Sequence, residues 1–125
     1  MTNFNTPVSI SNFRAGADLS TTSNLYKAVK LDSNGEIILA VANDPALGFL
    51  ANSPLLGEAT EIWTEGGGAK GIAAEAITSG DLLKSDANGD LVIANTTGDW
   101  AIARAMNSAV TSDIFEIQPI LAQLV

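Results

Sequence analysis

The sequence predicts an all-β fold, a small barrel or sandwich built from two related β-meanders with an extended N-terminal arm. Three observations carry this. Apolar residues recur with a period of two, turn residues interrupt them about every eight to twelve positions, and one hairpin signature occurs twice. Leu25, Lys27, Val29 and Leu31 alternate with Tyr26, Ala28 and Lys30, as in a half-buried strand. Asn34-Gly35 follows, a dipeptide that suits a type I′ hairpin because both residues tolerate φ > 0. The next strand runs from Glu36 to Val41, and Asn43-Asp44-Pro45 breaks it. Leu47-Gly48-Phe49-Leu50 and Glu61-Ile62-Trp63-Thr64 read as further strands, and Gly66-Gly67-Gly68 as a mobile turn between the halves.

The second half then repeats the first. Residues 32–40 (DSNGEIILA) match residues 86–94 (DANGDLVIA), and after one inserted residue Asn52-Ser53 matches Asn107-Ser108 and Thr60-Glu61-Ile62 matches Phe115-Glu116-Ile117. A period that occurs only twice is not a solenoid. The expected organisation is an arm over residues 1–13 and one domain over 14–125, with internal halves at about 14–66 and 67–125.

Composition excludes several chemistries. The 125 residues contain no Cys and no His, so disulfides, thiol nucleophiles, Cys/His zinc sites and imidazole bases are all out of reach. A net charge of −8 repels phosphate, and direct nucleic-acid binding is not expected. The N-terminus lacks the basic and apolar regions of a signal peptide. The longest aliphatic run, Ile37 to Ala42, is far short of the ~20 residues of a membrane helix. A soluble protein made in a cytoplasm, with no membrane partner, is the expectation.

Motifs that resemble ligand loops fail on spacing. Asp32-x-Asn34-Gly35-Glu36 and Asp86-x-Asn88-Gly89-Asp90 place Gly fourth, where a calcium loop needs it sixth, and their twelfth positions are Asn43 and Thr97. A hairpin explains them better, with Asp32 and Asp86 accepting backbone N–H groups as Asx-turns. Gly66-Gly67-Gly68-Ala69-Lys70-Gly71 lacks the Walker spacing. Acid pairs such as Glu58/Glu61 are inevitable among fourteen acids, and no Ser, Thr or Lys has an identifiable activating partner. No metal, cofactor or catalytic residue is assigned.

Two regions invite partners. Residues 1–13 are uncharged before position 14 and carry Phe4, Pro7, Val8, Ile10 and Phe13 with no hairpin partner nearby. They suit an arm that docks on another chain by strand addition, or an ordinary first strand. The C-terminal segment ends in Leu121-Ala122-Gln123-Leu124-Val125 and needs cover in the core or an oligomer interface. Trp63 and Trp100 are core residues or interface anchors. In residues 100–106, Trp100, Ile102, Arg104 and Met106 share one face and three alanines the other, and Arg104 is placed to cross-pair with an acid at a subunit boundary. The oligomer-interface set is therefore Trp63, Trp100, Arg104, Leu121 and Leu124.

The layout from about residue 15 to 118 resembles tailed-phage capsid decoration (cement) proteins of the small β-barrel or β-tulip kind. The resemblance rests on Ala17 to Gly35, on Leu47-Gly48-Phe49-Leu50 with Gly57-Glu58, on Ala76-Ile77-Thr78-Ser79-Gly80-Asp81-Leu82, on Trp100 to Ala105 and on Phe115-Glu116-Ile117. Ala101-Ile102-Ala103 stands where that pattern has a glycine, and Ser112-Asp113 occupies its second Gly-Glu position. The resemblance implies a homotrimer on the outer surface of a phage head that binds the major capsid protein and stabilises contacts between its copies. Avidity across one rigid oligomer would supply the affinity. The competing expectation is a receptor- or glycan-binding β module of a phage fibre or spike, which exposed aromatics at Trp63 or Trp100 would favour.

Overall fold

Each Asp-x-Asn-Gly segment turns the chain through hydrogen bonds of its own. The Asp32 carboxylate accepts the N–H groups of Asn34 (2.8 Å) and Glu36 (2.9 Å), and Asp86 does the same for Asn88 (2.8 Å) and Asp90 (2.9 Å). Only the glycines take positive φ, 76° at Gly35 and 82° at Gly89. The expected type I′ turn is therefore corrected. Gly35 N–H reaches Asp32 C=O and Asp32 N–H reaches Glu36 C=O, a three-residue loop of a type I turn followed by a left-handed glycine. The Asp side chain holds the Asn in right-handed geometry, so Asn needs no positive φ.

The computed structural model describes residues 8–125, with side chains from residue 13 onward. Its strands are β1 (Val8–Arg14), β2 (Ala28–Leu31), β3 (Ile37–Leu39), β4 (Gly48–Leu50) and β5 (Ala59–Thr64), then β6 (Ala69–Ile72), β7 (Leu82–Ser85), β8 (Leu91–Ile93), β9 (Trp100–Ala105) and β10 (Ile114–Gln123). They form two five-stranded antiparallel sheets with the same order, β1-β5-β4-β2-β3 and β6-β10-β9-β7-β8. One parallel bridge draws the ends of each sheet together, Ala15 to Ile37 in the first and Ala73 to Leu91 in the second. Neither sheet closes through a ladder into a barrel. The extended N-terminal segment enters the description at Val8 as the edge strand β1. Its partner is β5, with Val8 opposite Thr64 and Phe13 opposite Thr60, far along the chain and so invisible to a search for a local hairpin. Phe4 and Pro7 lie outside the described residues.

The repeat extends to side-chain chemistry. Lys30 binds Asp44 at 2.8 Å and Lys84 binds Asp99 at 3.1 Å. Asp44 accepts Val41 N–H as Asp99 accepts Thr96 N–H. Asn52 Oδ1 accepts Glu61 N–H, and Asn107 Oδ1 accepts Glu116 N–H. The residues that match between the halves in sequence are those that tie each sheet's loops to its strands.

Both copies bury the same face, and the first also buries the opposite one. Inside the first sheet, Val29, Ile37, Leu50 and Ile62 pack with Ala15 and Leu19. The alternate residues of the same strands, Ala28 and Phe49, belong to a larger cluster with Leu83, Leu91, Phe115 and Ile117 of the second half, and Trp63 packs against it. The first sheet is thus covered on both faces, which accounts for its continuous apolar strands. Ala101, Ala103 and Ala105, the small face of β9, are all buried. In the second sheet the counterparts of Phe49 and Trp63 are Arg104 and Gln118, paired in the same register, and Arg104 is exposed.

Candidate functional site at the junction of the two halves

The halves meet through backbone and polar contacts that leave little freedom. Ala28 N–H donates to Gly89 C=O at 2.8 Å and Asn43 N–H to Ser85 C=O at 2.9 Å. The Asn43 side-chain oxygen accepts Trp100 N–H at 2.8 Å. A Cβ on Gly89 would lie 3.0 Å from the Ala28 carbonyl oxygen, so the β7–β8 turn approaches the first half as only glycine allows.

Beside this seam is a cleft of about 730 Å³. The 22–27 segment of the first half forms one side, including the 3-10 turn at Thr22–Asn24. Residues 72–74, Asp90 and the 111–114 turn of the second half form the other. Tyr26 lines it, its ring stacked at 5.7 Å and 10° on Trp63. Lys27 and Asp90 face each other at 3.8 Å, an ion pair too long for a hydrogen bond. Asp90 Oδ1 is buried and has no hydrogen-bond partner. Burial raises the Asp90 carboxyl above the ordinary aspartate range; the Lys27 ammonium opposes the rise and the Asp86 carboxylate adds to it. Hydroxyls stand around the mouth at Thr22, Ser23, Thr111 and Ser112, with apolar side chains at Leu25, Ile72 and Ile114.

Of the residues expected at an oligomer interface, Trp100 and Leu124 lie together where the end of β10 runs beside β9, whereas Trp63 belongs to the other sheet. Trp63 is half-buried, packed between Tyr26 and the core. Trp100 is half-buried at the seam. Arg104 is exposed, Leu121 is 44% exposed and Leu124 is half-buried near the chain end. Neither tryptophan is a fully exposed aromatic. The cleft residues Tyr26, Lys27, Asp90 and Ser112 were not singled out by sequence reasoning. Alignment of the two halves is the signal that finds Tyr26 and Ser112, because Tyr26 falls opposite Gly80 and Ser112 opposite Gly57; Lys27 and Asp90 carry no such signal. Among the described residues, no group of three or more acids is placed to hold a metal ion, and no helix is long and apolar enough to cross a membrane.

No known family model matches the chain, and no curated protein does. Among solved structures it is similar to the N base of the head fiber gp8.5 of bacteriophage phi29, with a TM-score of 0.70 at 18% identity. The match covers 96% of this chain and 99% of that one. The likeness is one of fold, and it includes both halves of the repeat.

Proposed function

We propose that this chain is a structural module of a phage virion, the base of a head fibre mounted on the outside of the capsid. The observation that carries the reading is the fold match across nearly the whole of both chains, to a domain described as the base of a head fibre. The acidic surface and the sequence resemblance to head-decoration proteins support the same location. A fibre base is preferred to a cement protein because the similar structure belongs to a fibre; both would grip the major capsid protein from outside. The unit is a homotrimer, with Arg104, Leu121 and Leu124 available to neighbouring copies and three weak capsid contacts combined by avidity. Of the arm residues, Phe4 and Pro7 precede β1 in the sequence while Val8, Ile10 and Phe13 belong to it, with Phe13 packed partly against the core; together they supply the apolar capsid contact.

Co-sedimentation with purified fibreless heads tests this. The protein should pellet with heads in saturable amount and in multiples of three copies per site. Absence from the pellet across a range of salt and protein concentrations would overturn the reading.

A further inference from the structure

The duplication makes each half a control for the other. Among the described residues, three other than glycine adopt left-handed backbone: Tyr26 (φ 74°), Asn43 (59°) and Ser112 (74°). In each case the other half has glycine at the equivalent place, Gly80 (94°), Gly98 (94°) and Gly57 (82°). The hydrogen bonds establish the equivalence. Tyr26 N–H reaches Leu50 C=O as Gly80 N–H reaches Ala105 C=O, and Ser112 N–H reaches Ala73 C=O as Gly57 N–H reaches Ala15 C=O. A bulky aromatic in this region is a genuine outlier, and such outliers cluster at binding sites. Asn43 has its explanation within the chain, because its side chain caps Trp100 across the seam. Tyr26 and Ser112 both line the cleft. The aromatic pair is also confined to one copy, since Gln118 stands in the register position of Trp63.

We propose that the cleft binds an uncharged saccharide, with the Tyr26 ring as its platform, the Asp90 carboxylate as a hydroxyl acceptor and the Ser and Thr hydroxyls that line it as further partners. The volume lies within the ~300–1,000 Å³ of small-molecule sites. Asp90 Oδ1 is enclosed beside Lys27, but the side chain as a whole is 21% exposed and lines the cleft, so its carboxylate can accept a ligand hydroxyl there. Anions are disfavoured by Asp90 and by the net charge of −8. Lys27 already offsets Asp90 at 3.8 Å, so a cationic ligand gains little. A peptide adding as a strand beyond β6 finds the backbone of the cleft wall already engaged at residues 73 and 74. Ala73 N–H and C=O are taken by Asp113 and Ser112, and Ala74 N–H by Leu91. What remains is a neutral ligand with many hydroxyls and apolar C–H faces. This site stands whether or not the chain is mounted on a head.

The test is a ¹H–¹⁵N NMR titration of the full chain with four uncharged trisaccharides, maltotriose, cellotriose, mannotriose and triacetylchitotriose, with trilysine as the charged comparison. At least one sugar should shift the Tyr26, Lys27, Ala74, Asp90 and Ser112 amides saturably. Tyr26→Gly, which restores the residue found in the other half, should weaken that binding by roughly tenfold or more, as should Asp90→Asn. If Tyr26→Gly does not fold, Asp90→Asn decides alone. Silence with all four sugars overturns the proposal. So does binding unchanged in Asp90→Asn or in a folded Tyr26→Gly. Saturation by trilysine in preference to every sugar would assign the cleft to a cationic protein segment and overturn it equally.

Discussion

Gly35 and Gly89 occupy the same turn in the two halves, yet they should respond differently to one added methyl group. Both have positive φ, 76° and 82°, so Gly→Ala at either costs about 1–2 kcal/mol in backbone strain. A Cβ at Gly35 meets nothing within 4 Å. At Gly89 it lies 3.0 Å from Ala28 O and 3.3 Å from Lys27 Cβ. Ala28 cannot retreat freely, because its own N–H is bonded to Gly89 O at 2.8 Å. Crowding a packed contact of this kind adds about 1–3 kcal/mol. At about 4 °C per kcal/mol for a chain of this length, Gly35→Ala should lower Tm by roughly 4–8 °C and Gly89→Ala by roughly 8–20 °C. Calorimetry of the two variants beside wild type, with urea midpoints as a second readout, measures the difference. Equal losses at the two sites would refute a rigid seam between the halves.

Trp63→Ala should cost about 2–3 kcal/mol, through lost packing against Tyr26 and the shared core, whereas Gln118→Ala at the matching register position should stay within about 0.5 kcal/mol; urea denaturation compares them. Burial alone would raise the Asp99 carboxyl, but hydrogen bonds from Lys84 and from the Thr96 and Asn95 N–H groups outweigh it and lower the pKa. Its stabilisation is therefore present above the ordinary aspartate value and lost as pH falls through the lowered one. Asp99→Asn should be less stable than wild type at neutral pH but lose less further stability between about pH 4 and pH 2, read from urea midpoints against pH. Light scattering should give a mass near three times 12.9 kDa, and Leu121→Glu, which places a charge on a 44% exposed apolar position near the chain end, should shift it toward monomer. Removing residues 2–7 leaves β1 whole and should preserve Tm while reducing head binding; unchanged pelleting with heads would exclude the arm.

The two sheets were legible because a local signal was printed twice. The Asp-x-Asn-Gly loops, the strands beside them and the Asn52/Asn107 match all recur at nearly constant spacing, and the structure uses them identically in both halves. The details of the turn were not legible. Asn-Gly alone suggests two left-handed residues, and only the carboxylate three positions before the glycine converts the turn to one. The pairing of β1 with β5 was hidden by sequence distance, and so was the burial of Phe49 and Trp63 between the halves. Period-two patterning shows that alternate residues face opposite sides of a strand. It does not show that both sides are covered. The cleft was invisible for a related reason. Tyr26, Asp90 and Ser112 come from three loops in two halves, and none of them forms a motif with its sequence neighbours. Tyr26 and Ser112 stand out only when the halves are aligned and the unusual copy of each pair is asked why it is not glycine; Asp90 aligns with Glu36 and gives no such signal.

The central claim is that this chain builds the base of a fibre on the outside of a phage head. Cryo-electron microscopy of intact virions, with and without a Fab directed at the exposed Arg104 face, tests it most directly. The account predicts two-sheet densities of this size on the outer capsid surface, grouped in threes, with the Fab bound to them. Fab density confined to the tail or the head interior, or virions that carry none of this protein, would contradict it.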